Sequence, residues 1–269
     1  MTSPSTSASS AFFSLAGRVA FVPGGYGDIG RAVAWQLARA GAAVAVAGRS
    51  ADKATAFAAE LAAAGHAAFG VRLDVRDAAQ IRATTDAVAG HFGALDVLVN
   101  CVGMQREQRL ADVTEDAFDE IVQVNLRAAI FLAQAAARHQ VAAVQAGRPP
   151  GRQVHVLSVR AQLGMRDRGY SAYCATKGGL VLLIRQHAVE LCNHGITVNG
   201  VAPTVVRGEM GAHWLANPET REPLLRRIPL GRIAEPADVA APVHFLCSAD
   251  AGFITGQVIY VDGGLTATQ

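Results

Sequence analysis

Arg18-Val19-Ala20-Phe21-Val22-Pro23-Gly24-Gly25-Tyr26-Gly27-Asp28-Ile29-Gly30 is the stretch that decides how this chain folds. Arg18–Pro23 is a short apolar run of the kind that forms a buried strand. It enters a glycine-rich turn, which opens into a helical run over 31–40 that Gly41 ends. Strand, glycine turn and helix in that order form a dinucleotide-binding unit. The glycines let the backbone come close to a pyrophosphate, and the helix N-terminus favours its negative charge. The same glycines also suit a tight turn with no ligand, so the rest of the chain must discriminate.

Working outward, strand patterns over 43–48, 67–73, 96–100, 153–157, 196–202 and 256–261 alternate with helical patterns. The helices are expected over 52–64, 77–92, 114–145, 169–194 and 236–248. This alternation predicts an α/β fold: a Rossmann-type, doubly wound parallel sheet of about seven strands with helices on both faces. No repeat or linker interrupts it, so residues 15–269 read as a single domain behind a polar, disordered tail at 1–14. Residues 204–230 break the pattern with mixed charges and with Pro218 and Pro223, and read as a helical lid. His213 and Trp214 within it either close on a substrate or simply pack the lid.

Composition narrows the function classes. The chain has 269 residues, 51% hydrophobic and 17% charged, with 24 basic against 22 acidic side chains. That balance gives no reason to expect nucleic acid or an anionic membrane as partner. No apolar run approaches the length of a membrane span. The four scattered cysteines point to a reduced, cytoplasmic setting, and the eight histidines show no metal-ligand spacing.

Ligands of such sheets sit at the carboxyl ends of strands. Asp74, Asn100 and Gly103 are therefore site candidates. Arg49 follows the second strand, where an acidic residue would accept the ribose hydroxyls of NAD. A guanidinium there suits a 2′-phosphate, so NADP(H) is preferred and NAD(H) remains possible; a solvated arginine is the plainer reading. Tyr173 and Lys177 lie four apart and share a helix face. A cation beside a phenol lowers its pKa, which would make Tyr173 a proton donor or acceptor. Alone, this pair also fits an ordinary amphipathic helix. Asn125, inside a helical run, must bond backbone or hold a water.

With Ser158, Tyr173 and Lys177 in this order, the chain resembles the short-chain dehydrogenase/reductase family, from about Gly17 to Gly264. The family's T-G-x-x-x-G-x-G falls on Pro23, Gly24, Asp28 and Gly30, and its Asp-Val on Asp74-Val75. Its N-N-A-G falls on Asn100-Cys101-Val102-Gly103. Its N-x-V-x-P falls on Asn199, Val201 and Pro203, and its closing segment on Gly256-Gln257 and Val261-Asp262-Gly263-Gly264. The resemblance implies a catalytic set of Asn125, Ser158, Tyr173 and Lys177. It implies cofactor contacts from Gly24, Gly27, Asp28, Ile29, Gly30, Arg49, Asp74, Val75, Asn100, Gly103, Tyr173, Lys177, Pro203 and Val206.

The implied reaction interconverts a secondary alcohol and a ketone by hydride transfer. Ser158 would polarise the carbonyl, Tyr173 move the proton, Lys177 lower the phenol's pKa and Asn125 hold a relay water. Sugar acids, polyols and 3-oxoacyl thioesters are the implied substrates, and a homotetramer the implied assembly. A non-catalytic dinucleotide-binding regulator and an interaction protein are the alternatives.

The chain departs from the family at several places. Pro23 replaces a threonine, and Asp28 replaces a glycine and is expected to cap the following helix. Thr204 and Gly208 are also atypical. Ser158 lies 15 residues before Tyr173, two more than usual, which places an insertion in 164–169. Arg160, Arg166 and Arg168 follow Ser158. They either face a carboxylate or polyhydroxylated substrate or belong to a solvated or subunit-facing loop.

Overall fold

The computed structural model describes residues 12–166 and 168–268, without the side chains of His213 and Trp214. The strands are β1 (Val19–Pro23), β2 (Ala43–Gly48), β3 (Ala68–Arg72), β4 (Val97–Asn100), β5 (Arg152–Val156), β6 (Thr197–Pro203) and β7 (Val258–Val261). Between them run α1 (Asp28–Arg39), α2 (Ala51–Ala63), α3 (Ala78–Phe92), α4 (Glu115–Val122), α5 (Ala128–Gln145) and α6 (Ser171–Leu191). Two short helices, α7 (Ala212–Ala216) and α8 (Pro218–Arg226), form the expected excursion, and α9 (Pro236–Cys247) precedes β7. All pairings are parallel, in the order β3-β2-β1-β4-β5-β6-β7.

Most strands are apolar along their length because both faces are covered, whereas β5 and β6 also bury Arg152, Gln153, His155, Thr197 and Asn199. Period-two alternation then sorts their side chains between two cores. Ala20, Val22, Val44, Val46, Val97 and Val99 pack with α1, α2 and α9. Phe21, Ala45, Ala47 and Leu98 pack with α3 and α5. Helix starts are fixed by side chains that accept otherwise unpaired amides: Ser50 for α2, Asp77 for α3 and Thr114 for α4.

The helix expected over 114–145 is interrupted. A π-helical turn, Gln123–Arg127, separates α4 from α5 and carries buried Asn125. Such bulges turn one residue out of the regular ladder and are frequent at functional sites. The tail expected at 1–14 lies outside the described residues as far as residue 11. Phe13 is anchored: its amide donates to Asp250 (2.9 Å) and its ring packs edge-on against Phe245.

One buried carboxylate ties several of these pieces together. Asp96, just before β4, accepts the Val19 amide at the start of β1 (2.8 Å) and an ion pair from Arg148 (2.8 Å). Its own carbonyl accepts Nε2 of buried Gln140 on α5 (3.0 Å). Asp96→Ala would strand the Val19 amide and leave Arg148, whose side chain is 39% exposed, to rehydrate. The expected cost is about 2–3 kcal/mol of unfolding free energy, read by urea denaturation. A loss below about 1 kcal/mol, the worth of one ordinary hydrogen bond, would show that Asp96 is not the clamp.

Candidate active site

A cleft of about 550 Å³ opens where the strands end. The sheet order lays out its walls: Arg49 follows β2, Asp74 follows β3, the glycine turn follows β1, and Ser158 and Pro203 stand at the ends of β5 and β6. Every expected catalytic residue except buried Asn125 lines it.

At the glycine turn the backbone folds close on itself. Gly24 has φ +76°, and a Cβ at Gly30 would strike the Gly24 carbonyl oxygen. The first amides of α1, at Asp28, Ile29 and Gly30, have no intrahelical acceptor, and all three residues line the cleft. Small residues and free helix-start amides beside a cavity fit a dinucleotide's phosphates.

Asp28 is not the cap expected from the sequence. It is already the first helical residue; Gly27 holds the cap position, with extended backbone and no side-chain bond. Asp28 Oδ2 instead accepts the Glu209 amide (2.8 Å), joining α1 to the excursion. Its carboxylate occupies the space that a Cβ at Gly208 (φ +155°) would need.

Arg49 is exposed at the end of β2. Tyr26, which sequence reasoning missed, props this corner: its ring packs against Gly48 and its hydroxyl accepts the Ser50 amide (3.0 Å). The Asp74 carboxylate is gripped by Arg76, with contacts of 2.6–3.2 Å, which pulls its pKa down to about 2. Val75 beside it is buried and lines the cleft. Asn100 Oδ1 accepts the Val102 amide (3.0 Å) and so shapes the turn leading to Gly103. Val206, near the far wall, bridges to Ala234.

Asn125, Ser158, Tyr173 and Lys177 are all buried, with Asn125 just 1% exposed. Asn125 takes the backbone option: its Oδ1 accepts the Met104 amide (2.8 Å), and its Nδ2 donates to the Met104 carbonyl (2.9 Å) and to Thr176 Oγ1 (3.3 Å). Its amide thereby fixes the segment after Gly103. Ser158 follows β5 and starts a short 3₁₀ turn, accepting the Arg160 amide (3.2 Å). Its hydroxyl also acts on that of Tyr173, favouring the phenolate.

The electrostatics differ from the sequence expectation. Burial raises the Tyr173 pKa, and the hydrogen bond to Ser158 and the charge of Arg160 offset this only in part. Lys177 makes no hydrogen bond to the phenol among the described residues. Its Nζ lies 5.7 Å from the Tyr173 ring centroid and donates to the Val156 carbonyl (3.0 Å). Burial pushes Lys177 itself down to about 8. Both groups are thus held toward their neutral forms by desolvation.

Beside Tyr173, Tyr170 bonds Gln105 (2.9 Å) and Glu107 (3.4 Å), and Arg168 pairs with Glu107 (3.3 Å). No spacing in the sequence announces these contacts, because they join segments about sixty residues apart. The expected insertion at 164–169 closes against Gln108, whose amide donates to the Gly169 carbonyl (2.9 Å); residue 167 lies outside the described residues. Arg166 is exposed, and Arg160 is half-buried in the cleft wall. The His213 and Trp214 side chains, considered as closing groups, lie outside the described residues.

The depressed Lys177 pKa has a consequence for stability. An unfolded lysine stays protonated to about pH 10.4, whereas the folded one loses its proton near 8. Between these values the unfolded chain binds more protons, so unfolding free energy rises with pH. Lys177→Met should flatten that rise between pH 8 and 9.5, a window chosen below the tyrosine range. Equal slopes in chemical denaturation of the two proteins would show that Lys177 is not held neutral.

The chain matches, over residues 26–266, the family model described as enoyl-(acyl carrier protein) reductase. It is 39% identical over 254 residues to L-xylulose reductase of Bos taurus, covering 94% of this chain and 98% of the relative. It is 37% identical over 248 residues to a 3-oxoacyl-[acyl-carrier-protein] reductase of Staphylococcus aureus, covering 91% and 97%. Among solved structures, a gluconate 5-dehydrogenase from Burkholderia cenocepacia in complex with NADP and tartrate superposes with a TM-score of 0.90 at 33% identity, covering 96% and 98%. The chain therefore belongs to the short-chain dehydrogenase/reductase family of oxidoreductases.

Proposed function

We propose that this enzyme interconverts a secondary alcohol and a ketone, using NADP(H) in preference to NAD(H). The observation carrying this reading is the convergence of Ser158, Tyr173 and Lys177 on one cleft with a glycine-lined helix start. Gly24, Gly27, Asp28, Ile29 and Gly30 would cradle the cofactor phosphates. Asp74, Val75, Asn100 and Gly103 would border its adenosine and ribose, and Pro203 and Val206 its nicotinamide end. When bound, the nicotinamide supplies or accepts the hydride.

Ser158 holds the substrate oxygen and steadies the charge that develops there. Tyr173 gives its proton to a ketone oxygen, or takes one from an alcohol. A phenol raised by burial keeps its proton at neutral pH, which suits it to the acid role in reduction. Lys177 holds the nicotinamide ribose and brings positive charge near the phenol. Asn125 fixes the strand end and, through its remaining lone pair, holds the relay water. Names of relatives support a sugar-acid, polyol or 3-oxoacyl type of substrate.

Exposed Leu182 and Val189 on α6, and Phe253, support assembly into a homotetramer. Four free cysteines, and the absence among the described residues of any helix long and apolar enough to cross a membrane, support a cytoplasmic setting.

Tyr173→Phe should lower kcat by at least about 100-fold, the usual worth of a positioned acid–base group, while leaving dinucleotide affinity and thermal unfolding largely as before. A variant retaining most of its turnover would sink the catalytic assignment. Arg49→Ala should weaken NADPH binding by roughly tenfold or more, the loss of one charge-assisted contact, and NADH far less. The readout is fluorescence titration of each cofactor; equal losses would refute the preference.

A further inference from the structure

We infer that Arg160 is the substrate-recognising cation of this cleft, and that the alcohol or ketone it takes carries a carboxylate near the reacting carbon. This rests on the reading above that Ser158 and Tyr173 flank the reacting oxygen. Position comes first. The Arg160 amide is bonded to Ser158 Oγ (3.2 Å), so the arginine is locked to the residue that would hold the substrate oxygen. Its side chain lines the same cleft as Tyr173 and acts electrostatically on the phenol.

Charge comes second. Arg76 and Arg207 line the same cleft, and each is paired with an acid, Asp74 and Glu235. Arg160 has no ion pair among the described residues. The groups that act on its charge are Cys174, Arg227, Tyr170 and Tyr173, with no carboxylate among them. A half-buried guanidinium facing a second arginine is costly unless an anion joins it.

Geometry comes third. Nη1 donates to the carbonyls of Leu163 (3.2 Å) and Gly164 (2.5 Å), which brace the guanidinium in the cleft wall. Nε and Nη2 have no protein acceptor among the described residues. A planar fork braced on one side and unspent on the other fits a carboxylate, which takes two parallel N–H bonds. A residue needed only to pin the 163–164 loop would call for neither a permanent charge nor a second cation beside it.

The test uses the full chain loaded with NADP(H) and three matched probe pairs: gluconate and glucitol, lactate and 1,2-propanediol, and 3-oxobutyrate and its methyl ester. Dissociation constants come from calorimetric titration, and KM and kcat are measured for each pair that turns over. At least one acid should bind about 10–100-fold more tightly than its neutral partner, the range of a hydrogen-bonded charge contact. In Arg160→Gln that ratio should collapse toward one through KM, and Arg160→Lys should restore part of it. Ratios near one for all three pairs in the wild type overturn the inference, as does a ratio that Arg160→Gln leaves intact. The Tyr173→Phe variant separates the two proposals. If it keeps turning over while the binding ratio persists, the catalytic reading falls and the carboxylate site stands. If it is inactive and the ratios are flat, only the carboxylate site falls.

Discussion

All seven strands run the same way, and that constraint organises everything else. Parallel neighbours cannot be joined by a hairpin, so each connection crosses through a helix or a long segment. Crossovers bury both faces of the sheet, so the strands are largely apolar, and a polar side chain buried in one needs partners, as Gln153 in β5 finds in Gln140 and the Ala133 carbonyl. Backbone groups without ladder partners are left at the strand ends. All the carboxyl ends open on one edge, and there the glycine turn, Asn100, Ser158 and Pro203 meet although they are scattered over 180 positions of sequence. The cleft is what remains between strand ends that diverge on either side of β1 and β4.

What closes that cleft also sets its chemistry. Tyr173 and Lys177 come from the first two turns of α6, and α6 packs on the sheet across its length, so both groups lose their hydration. The phenol moves up and the amine moves down, each toward neutrality, for one reason: charge is poorly solvated there. Lys177 recovers part of the loss through the Val156 carbonyl, and Tyr173 through Ser158. A site built this way gains strength in every remaining electrostatic contact, because the effective dielectric is low. An added anion near Arg160, or a phosphate at the start of α1, would be felt more strongly than on an open surface.

Sequence reading reached the architecture because the architecture is periodic. Strand and helix patterns alternate visibly, and most boundaries fall within a residue or two of the structure. The motif residues were legible because each stands at a strand end or on one helix face. What was not legible depends on partners far away in the chain. The π-helical turn at Asn125 has no local signature, and the bonds its side chain makes to Met104 join segments 21 positions apart. Tyr26 looks like an incidental aromatic until its hydroxyl is found on Ser50. The expected action of Lys177 on Tyr173 followed from their spacing, but spacing says nothing of how deeply α6 buries them. Burial, a tertiary quantity, decided the sign.

Asp28 makes the same lesson sharper. Read locally, an acid at the start of a helix is a cap or a liability beside phosphate. The structure gives it a partner 181 positions away: the Glu209 amide, next to a glycine with no side chain to obstruct it. The two departures from the family pattern, an acid where a glycine is usual and a glycine where a side chain is usual, therefore fit each other in space. A Cβ at position 208 and a carboxylate at position 28 compete for one volume, so neither site can be interpreted without the other. The exchange also fastens the excursion over the cleft to the helix start that would receive the cofactor phosphates. Asp28 thereby ties the excursion to the start of α1, a link that no motif comparison along the chain would show.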